Sequence, residues 1–362
     1  MKNSSAPLPK RSQAVMNRSL LRDVREMIAE ARSSVAVTVN AGLTILYWRI
    51  GKRIRKDILQ EKRAAYGREI VATLARQLET EFGRGFGRRN LFRMVRFAET
   101  FPDPQIVSSL MTQLGWTHFL MIIPFKDQLQ RDFYAEMCRI EKWATRTLRN
   151  KIDGMLYERT ALSKKPEKLV RQELAALREE DKLTPDLVFK DPYFLDFLGL
   201  RGAYAEKDLE AAILREIEQF LLEMGAGFTF VERQKRIVVD SEDFYLDLLL
   251  YNRRLRRLVL VELKLGRFKA AYKGQMELYL RWLEKHEMEV GENTPLGLIL
   301  CSEAGHEQIE LLQLDKAGVR VAKYLTELPP RQVLQRQLHQ AVQHAKQNAE
   351  IEATPRKRRS KR

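Results

Sequence analysis

Cysteine is nearly absent from the chain: Cys138 and Cys301 are its only two in 362 residues. So far apart, they can build neither a disulfide framework nor a cysteine-rich zinc site, and both read as buried core thiols. Histidine is scarce as well, five in all with no close pair, so metal chemistry resting mainly on imidazole is excluded and any metal would be held by carboxylates. Long apolar runs are missing too. Ala41 to Trp48 and Phe119 to Phe125 are the nearest, each soon followed by a cation, Arg49 or Lys126, and a bilayer span needs ~18 residues. The opening MKNSSAPLPKRSQ has no apolar h-region and does not read as a secretory signal. A cytoplasmic protein without a membrane partner is the expectation.

What is present points to a folded, basic protein. Hydrophobic residues make up 44% of the chain, which excludes wholesale disorder, and the length suits two domains or three. Lysine plus arginine number 64 against 48 acidic residues, a net charge of +16. The excess sits at the ends. Residues 1–100 hold 21 basic and 9 acidic side chains, residues 101–300 hold 31 and 32, and residues 301–362 hold 12 and 7. A basic N-terminal unit beside a balanced one suggests a polyanion-binding module joined to a second function; a solvated basic surface gives the same arithmetic.

The N-terminal half is helical by its spacing. Leu20, Leu21, Val24 and Ile28, then Leu43, Leu46, Tyr47, Ile50 and Ile54, recur at helical intervals and read as a helix pair. A further helix runs from Arg68 through Ile70, Leu74 and Leu78 to Phe82. FGRGFG then breaks the pattern before Arg88 to Thr100 resumes it, a helix-turn-helix layout. Arg88, Arg89, Asn90, Arg93 and Arg96, with Arg84 in the turn, form a donor surface suited to phosphates and base edges. Trp116, Phe119, Phe133, Tyr134, Trp143 and Tyr157 read as core, and His118 as structural. A linker carrying a helix near 167–180 follows.

After DPYFLDFLGL the pattern changes. AEKDLEAAILREIEQFLLEMG reads as one amphipathic helix, with Leu209, Ile213, Ile217, Phe220 and Leu221 inward. FTFVERQKRIVV, FYLDLLLY and LRRLVLVEL read as strands, then come a helix near 270–286 and the strand LGLILC. The order αβββαβ makes an α/β sandwich. Asp247 and Glu262 are equidistant from the polar run NRRLRR, so a hairpin turning there sets them opposite each other. Alternation puts Lys264 on the Glu262 face. Paired carboxylates call for a cation, and hard oxygen donors suit Mg2+ or Mn2+. A lysine beside them fits phosphodiester hydrolysis. Glu206 and Glu210, one turn apart, and Gln275 and Tyr279, also four apart, could face the same centre. Alone, a D…ExK pattern is weak; its place in a hairpin between helices strengthens it.

The runs YWRIGKRI, LARQLETEFGRGFGRRNLFRM, LGWTHF, DPYFLDFLGL, GFTFVERQKRI, FYLDLLLYNRRLRRLVLVELKLGRF and GQMELYLRWL resemble the YhcG family of bacterial proteins. Their C-terminal part belongs to the PD-(D/E)XK nuclease superfamily. The resemblance implies a restriction-endonuclease-like αβββαβ core preceded by an all-α region of helix-turn-helix type that binds DNA. It assigns metal binding to Asp247 and Glu262, with Glu206, preferred over Glu210, as the leading acid. It assigns Lys264 to the signature lysine and Gln275 to the helical glutamine. Leu246 stands where the superfamily motif has proline.

The expected organisation is a helical domain over 15–162, a linker over 163–192, a nuclease domain over 193–328 and a helix with a basic tail over 329–362. The expected activity is Mg2+- or Mn2+-dependent hydrolysis of duplex or branched DNA. A catalytically silent binding subunit and a nuclease acting on RNA are the alternatives, and a homodimer is what the resemblance adds. The segment after Pro329, with Val333, Leu334, Leu338 and Val342 on one side, reads as a helix that pairs with a partner or as a frayed tail.

Overall fold

The computed structural model describes residues 39–56, 64–303, 309 and 311–353. The helix expected around Leu20 to Ile28 and the basic tail PRKRRSKR lie outside the described residues. The chain divides into two compact units, 1–149 and 150–362.

The described part of the first unit is helical. Helix α1 spans 39–56 and α2 spans Ala64–Phe82. A single 3-10 turn, Arg84–Phe86, leads into α3, Arg88–Thr100. Gly83 enters that turn with φ +88°, a left-handed backbone that glycine adopts without steric cost. Ile54 of α1, Val71 and Ala75 of α2, and Leu91, Met94 and Val95 of α3 share one buried cluster. Helices α1 and α3 meet almost backbone to backbone, since a Cβ on Gly51 would stand 1.9 Å from the Met94 carbonyl oxygen. The Trp48 indole N–H donates to the Phe101 carbonyl at 2.8 Å and fastens the end of α3. Helices α4 (Pro104–Met111), α5 (Trp116–Ile122) and α6 (Gln128–Glu141) follow. Asp103 and Asp127 cap α4 and α6 by accepting from the Gln105 and Leu129 amides. Phe119, Phe133 and Tyr134 are fully buried, while Trp116 and Trp143 are half-buried.

Helices α7 (Thr145–Asp153), α8 (Leu156–Arg159), α9 (Glu167–Glu180) and α10 (Pro185–Val188) come next in the chain, and the second unit carries a six-stranded sheet in the order β1-β6-β5-β4-β3-β2. Strands β2 (Phe228–Val239), β3 (Glu242–Asn252) and β4 (Arg257–Arg267) form an antiparallel meander. Strands β5 (Leu296–Glu303), β6 (Val319–Leu325) and β1 (Tyr193–Phe194) continue it in parallel. The stretch read as one amphipathic helix is two, α11 (Glu206–Arg215) and α12 (Ile217–Met224), parted at Glu216 with φ −108° and ψ 33°. The break keeps both pieces on a sheet that twists away from a straight rod. Leu209, Ala212 and Ile213 share one core with Phe220 and Met224.

Alternation along the central strands builds the two cores. Leu298 and Leu300 join the α11/α12 side, with Leu248, Leu250, Val259, Val261 and Leu263. Ile299 and Cys301 join the opposite side with Leu249, Leu258 and Leu260, under α13 (Ala271–His286). Each such leucine contributes roughly 1.5–3 kcal/mol. Both cysteines are buried, their thiols pushed up to about 12 by that burial. Strands β1 and β6 were not read from the sequence: β1 has two residues, and β6 lies beyond the last apolar run. The C-terminal helix, here α14 (Arg331–Ala353), packs on its own chain rather than fraying. Leu334 and Leu338 are buried with Met155 against Phe194 and Leu325, and Arg331 reaches Asp153 at 2.9 Å.

Candidate active site

The β3/β4 hairpin fixes the site. Its register pairs Leu248 with Val261 and Leu249 with Leu260, which sets Asp247 against Glu262 as the spacing predicts. There side chains replace the ladder. The Asp247 amide donates to Glu262 Oε1 at 3.3 Å, and the Leu263 amide donates to Asp247 Oδ2 at 2.9 Å. Lys264 Nζ stands 3.2 Å from Glu262 Oε2 and over the Tyr272 ring, 5.6 Å from its centroid.

From α11, Glu206 accepts the Leu265 amide at 2.9 Å. One turn on, Glu210 accepts from Gln234 of β2 at 3.0 Å, and the same Gln234 amide donates to Asp247 Oδ1 at 3.1 Å. Glu206, Glu210, Gln234 and Asp247, with Lys207 and Arg233, line a cleft of about 520 Å³. On the other side, Gln275 donates to the Tyr279 hydroxyl at 2.7 Å. The structure therefore gives Gln275 a tyrosine as its hydrogen-bond partner rather than either carboxylate.

Burial and charge tune these groups. Glu262 is 3% exposed, and burial first, then the neighbouring Asp247 charge, raises its carboxyl to about 7. Burial likewise raises Asp247, against the Leu263 amide and the Lys264 charge. Glu210 is raised by burial and by Asp247. Lys264 is raised in turn: burial works against its charge, but Glu262 and Asp247 outweigh it. A carboxylate pair this short of positive charge, all hard oxygen, fits a divalent cation. The expected trio of Asp247, Glu262 and Glu206 is not closed into a cage, since each has an oxygen turned to a backbone amide. Among the described residues no group of three or more His, Cys, Asp or Glu side chains stands ready to hold a metal.

Sequence reasoning missed Gln234, Arg233, Lys207 and Tyr272. Lys207 adjoins Glu206 in sequence and was within reach; nothing in the period of β2 announces Gln234. In the first unit, Arg84, Arg88, Arg89 and Arg96 are exposed and Arg93 half-buried. Arg89, Arg93 and Arg96 share one stripe of α3 by their spacing. Asn90 is half-buried beside them, its amide donating to the Gly85 carbonyl at 2.6 Å, a carbonyl that the glycine turn leaves in need of a donor. His118 is structural as read: Nδ1 accepts from the Gly115 amide at 3.2 Å and Nε2 lies 3.0 Å from the Trp143 carbonyl oxygen. Among the described residues no helix is long and apolar enough to cross a membrane.

An antiparallel meander running into parallel strands, helices on both faces, and an Asp247, Glu262 and Lys264 set at the end of the hairpin ladder define a nuclease domain of the PD-(D/E)XK type. Residues 186–339 match the YhcG PDDEXK nuclease domain, and residues 23–159 match the DUF1016 N-terminal domain. "Putative nuclease YhcG" of Escherichia coli (strain K12) is 32% identical over 335 residues, covering 84% of this chain and 88% of that protein. The chain belongs to the YhcG family. Among solved structures, a repair endonuclease from Pyrococcus abyssi is similar at 21% identity with a TM-score of 0.25, over 36% of this chain and 50% of that one. An EndoMS–dsDNA complex is similar at 18% identity with a TM-score of 0.27, over 36% and 49%. The chain spans about half the length of those structures.

Proposed function

We propose that this protein is a divalent-metal-dependent nuclease that hydrolyses DNA phosphodiester bonds, with residues 193–328 as the cutting domain. The observation that carries the reading is the crossing of Asp247 and Glu262 at the end of the β3/β4 ladder, with Lys264 3.2 Å from Glu262. Asp247 and Glu262 would hold Mg2+ or Mn2+, with Glu206 or Glu210 as the further acid. When bound, the ion polarises a phosphoryl oxygen and lowers the pKa of water. Lys264 supplies a fixed cation where negative charge builds on the phosphate. Its pairing with Glu262 and contact with Tyr272 hold it in place before substrate arrives. Residues 15–162 would dock on DNA through Arg84, Arg88, Arg89, Asn90, Arg93 and Arg96, the Asn90 bond to Gly85 holding the turn that presents them. Residues 163–192 would link the two, and 329–362 would brace the cutting domain through Leu334 and Leu338.

The test is cleavage of supercoiled, linear and branched DNA with Mg2+, Mn2+ or EDTA, comparing wild type with Glu262→Ala and Lys264→Ala. The expected result is cutting that needs a metal and both residues, each substitution lowering the rate about 100-fold or more. Binding of DNA without cutting of any substrate would overturn the reading in favour of a silent binding subunit. Cutting of RNA in preference to DNA at fixed salt would overturn its choice of substrate.

A further inference from the structure

Gln234 belongs to edge strand β2, and its backbone is in the left-handed region with φ +45°. Among the described residues it is the one non-glycine strand position with a positive φ. Such a conformation is strained for a residue with a Cβ. No packing offsets that strain, because the side chain is exposed and outside both cores. The strain has a local geometric result. Neighbours on a regular strand point to opposite faces, yet Arg233 and Gln234 both line the cleft that holds Asp247.

Register explains what the kink reaches. Arg233 pairs with Leu248 and Lys235 with Leu246, so Gln234 stands across from Asp247. Strand β3 breaks its alternation at the same point while keeping its register: Leu246 enters the α13-side core and Leu248 the α11-side core, although strict alternation would put both on one face. Asp247 is consequently held at both oxygens, Oδ2 by the Leu263 amide of β4 and Oδ1 by the Gln234 side chain of β2. The same Gln234 amide holds Glu210 of α11. One side chain thus ties the meander and the helix together at the carboxylates.

We infer that Gln234 is a positioning residue: its strained backbone turns the amide into the cleft so that Asp247 and Glu210 are oriented for a divalent cation before one arrives. The inference rests on the nuclease reading for its consequence in cutting, and on geometry alone for its consequence in metal binding. Gln234→Ala keeps the backbone strain and removes the amide. Gln234→Gly removes both, because glycine accepts φ +45° at no steric cost.

The experiment measures Mn2+ affinity of the full chain by titration calorimetry, urea stability in EDTA, and kcat and KM on DNA for wild type and both variants. The expected result is that Gln234→Gly is more stable than Gln234→Ala, while both bind Mn2+ about 10- to 100-fold more weakly than wild type. The loss in cutting falls on kcat more than KM. A purely structural Gln234 predicts the opposite, affinity that follows stability and is restored in the glycine variant. Mn2+ affinity within about twofold of wild type in Gln234→Gly overturns the inference, and so does a wild type that binds no Mn2+. A wild type that binds Mn2+ but cuts no nucleic acid overturns the nuclease reading, and the titration then decides the role of Gln234 by itself.

Discussion

Substituting Glu262 by glutamine removes an ionisable group that the fold holds near neutrality. The carboxyl titrates at 4.5 in an unfolded chain and at about 7 in the folded one, raised by burial and by the Asp247 charge. Below pH 4.5 it is protonated in both states, and its contribution to stability is complete. Between 4.5 and 7 the unfolded chain releases the proton while the folded chain keeps it. Unfolding is therefore favoured as pH rises, and the contribution is lost once pH passes 7. One proton over that span, at ~1.4 kcal/mol per pH unit, amounts to roughly 3 kcal/mol. Coupling to Asp247 and Lys264 spreads the loss over a wider range. In EDTA, Glu262→Gln should gain on wild type by about 2–3 kcal/mol between pH 5 and pH 8. Urea unfolding of the full chain, read by pulsed hydrogen exchange in peptides from β3 and β4, measures it. Adding Mg2+ at pH 8 should stabilise wild type and leave Glu262→Gln nearly unmoved. A difference between the two proteins that is the same at pH 5 and pH 8 would refute the reasoning, since it would mean that Glu262 ionises inside the fold as easily as outside it.

Replacing Arg89, Arg93 and Arg96 together by alanine should weaken DNA binding and flatten its salt dependence by ~0.9 for each phosphate that the protein no longer neutralises; fluorescence anisotropy across a salt series checks this, and an unaltered slope would remove α3 from the DNA interface. Asn90→Ala should cost about 1 kcal/mol by removing the bond to Gly85, seen as a lower thermal midpoint of the first unit, and a variant as stable as wild type would show that the turn holds itself. Leu338, 5% exposed against Met155, should cost about 2–5 kcal/mol as alanine. Faster hydrogen exchange around residues 153–159 and 331–342 is the readout, and unchanged protection there would detach α14 from the second unit.

The sequence carried the site as far as periodicity and symmetry reach. Asp247 and Glu262 are equidistant from NRRLRR, and the hairpin turns where that run predicts, so the register of the two strands was legible. The αβββαβ order was legible too, because each strand alternates or is apolar throughout and each helix repeats at its own interval. The division at Glu216 was not, since the apolar residues on either side of it stay in phase. Strand β1 is too short to have a period, and it exists by pairing with β6, a partner more than a hundred residues away. Gln234 was illegible for a different reason. Its role depends on a backbone angle that its own residue type disfavours, and no pattern of apolar residues records an unfavourable φ.

The placement of the acids at the end of a ladder has an energetic logic. Two buried carboxylates in the middle of the β3/β4 pairing would have no donors, because backbone amides there are taken by carbonyls. At the end of the pairing the amides of Asp247, Leu263 and Leu265 are released from the ladder and donate to Glu262, Asp247 and Glu206. Each such bond to a charged acceptor is worth about 1.5–3 kcal/mol, enough to keep the acids inside the fold yet short of what two full charges need. Glu262 records the shortfall by holding its proton up to about 7. The same residues that leave the metal-free fold under-neutralised at pH 8 are thereby the ones that a cation would stabilise most. Stability and metal affinity should consequently move in opposite directions when Glu262 is neutralised, and in the same direction when Leu338 is truncated.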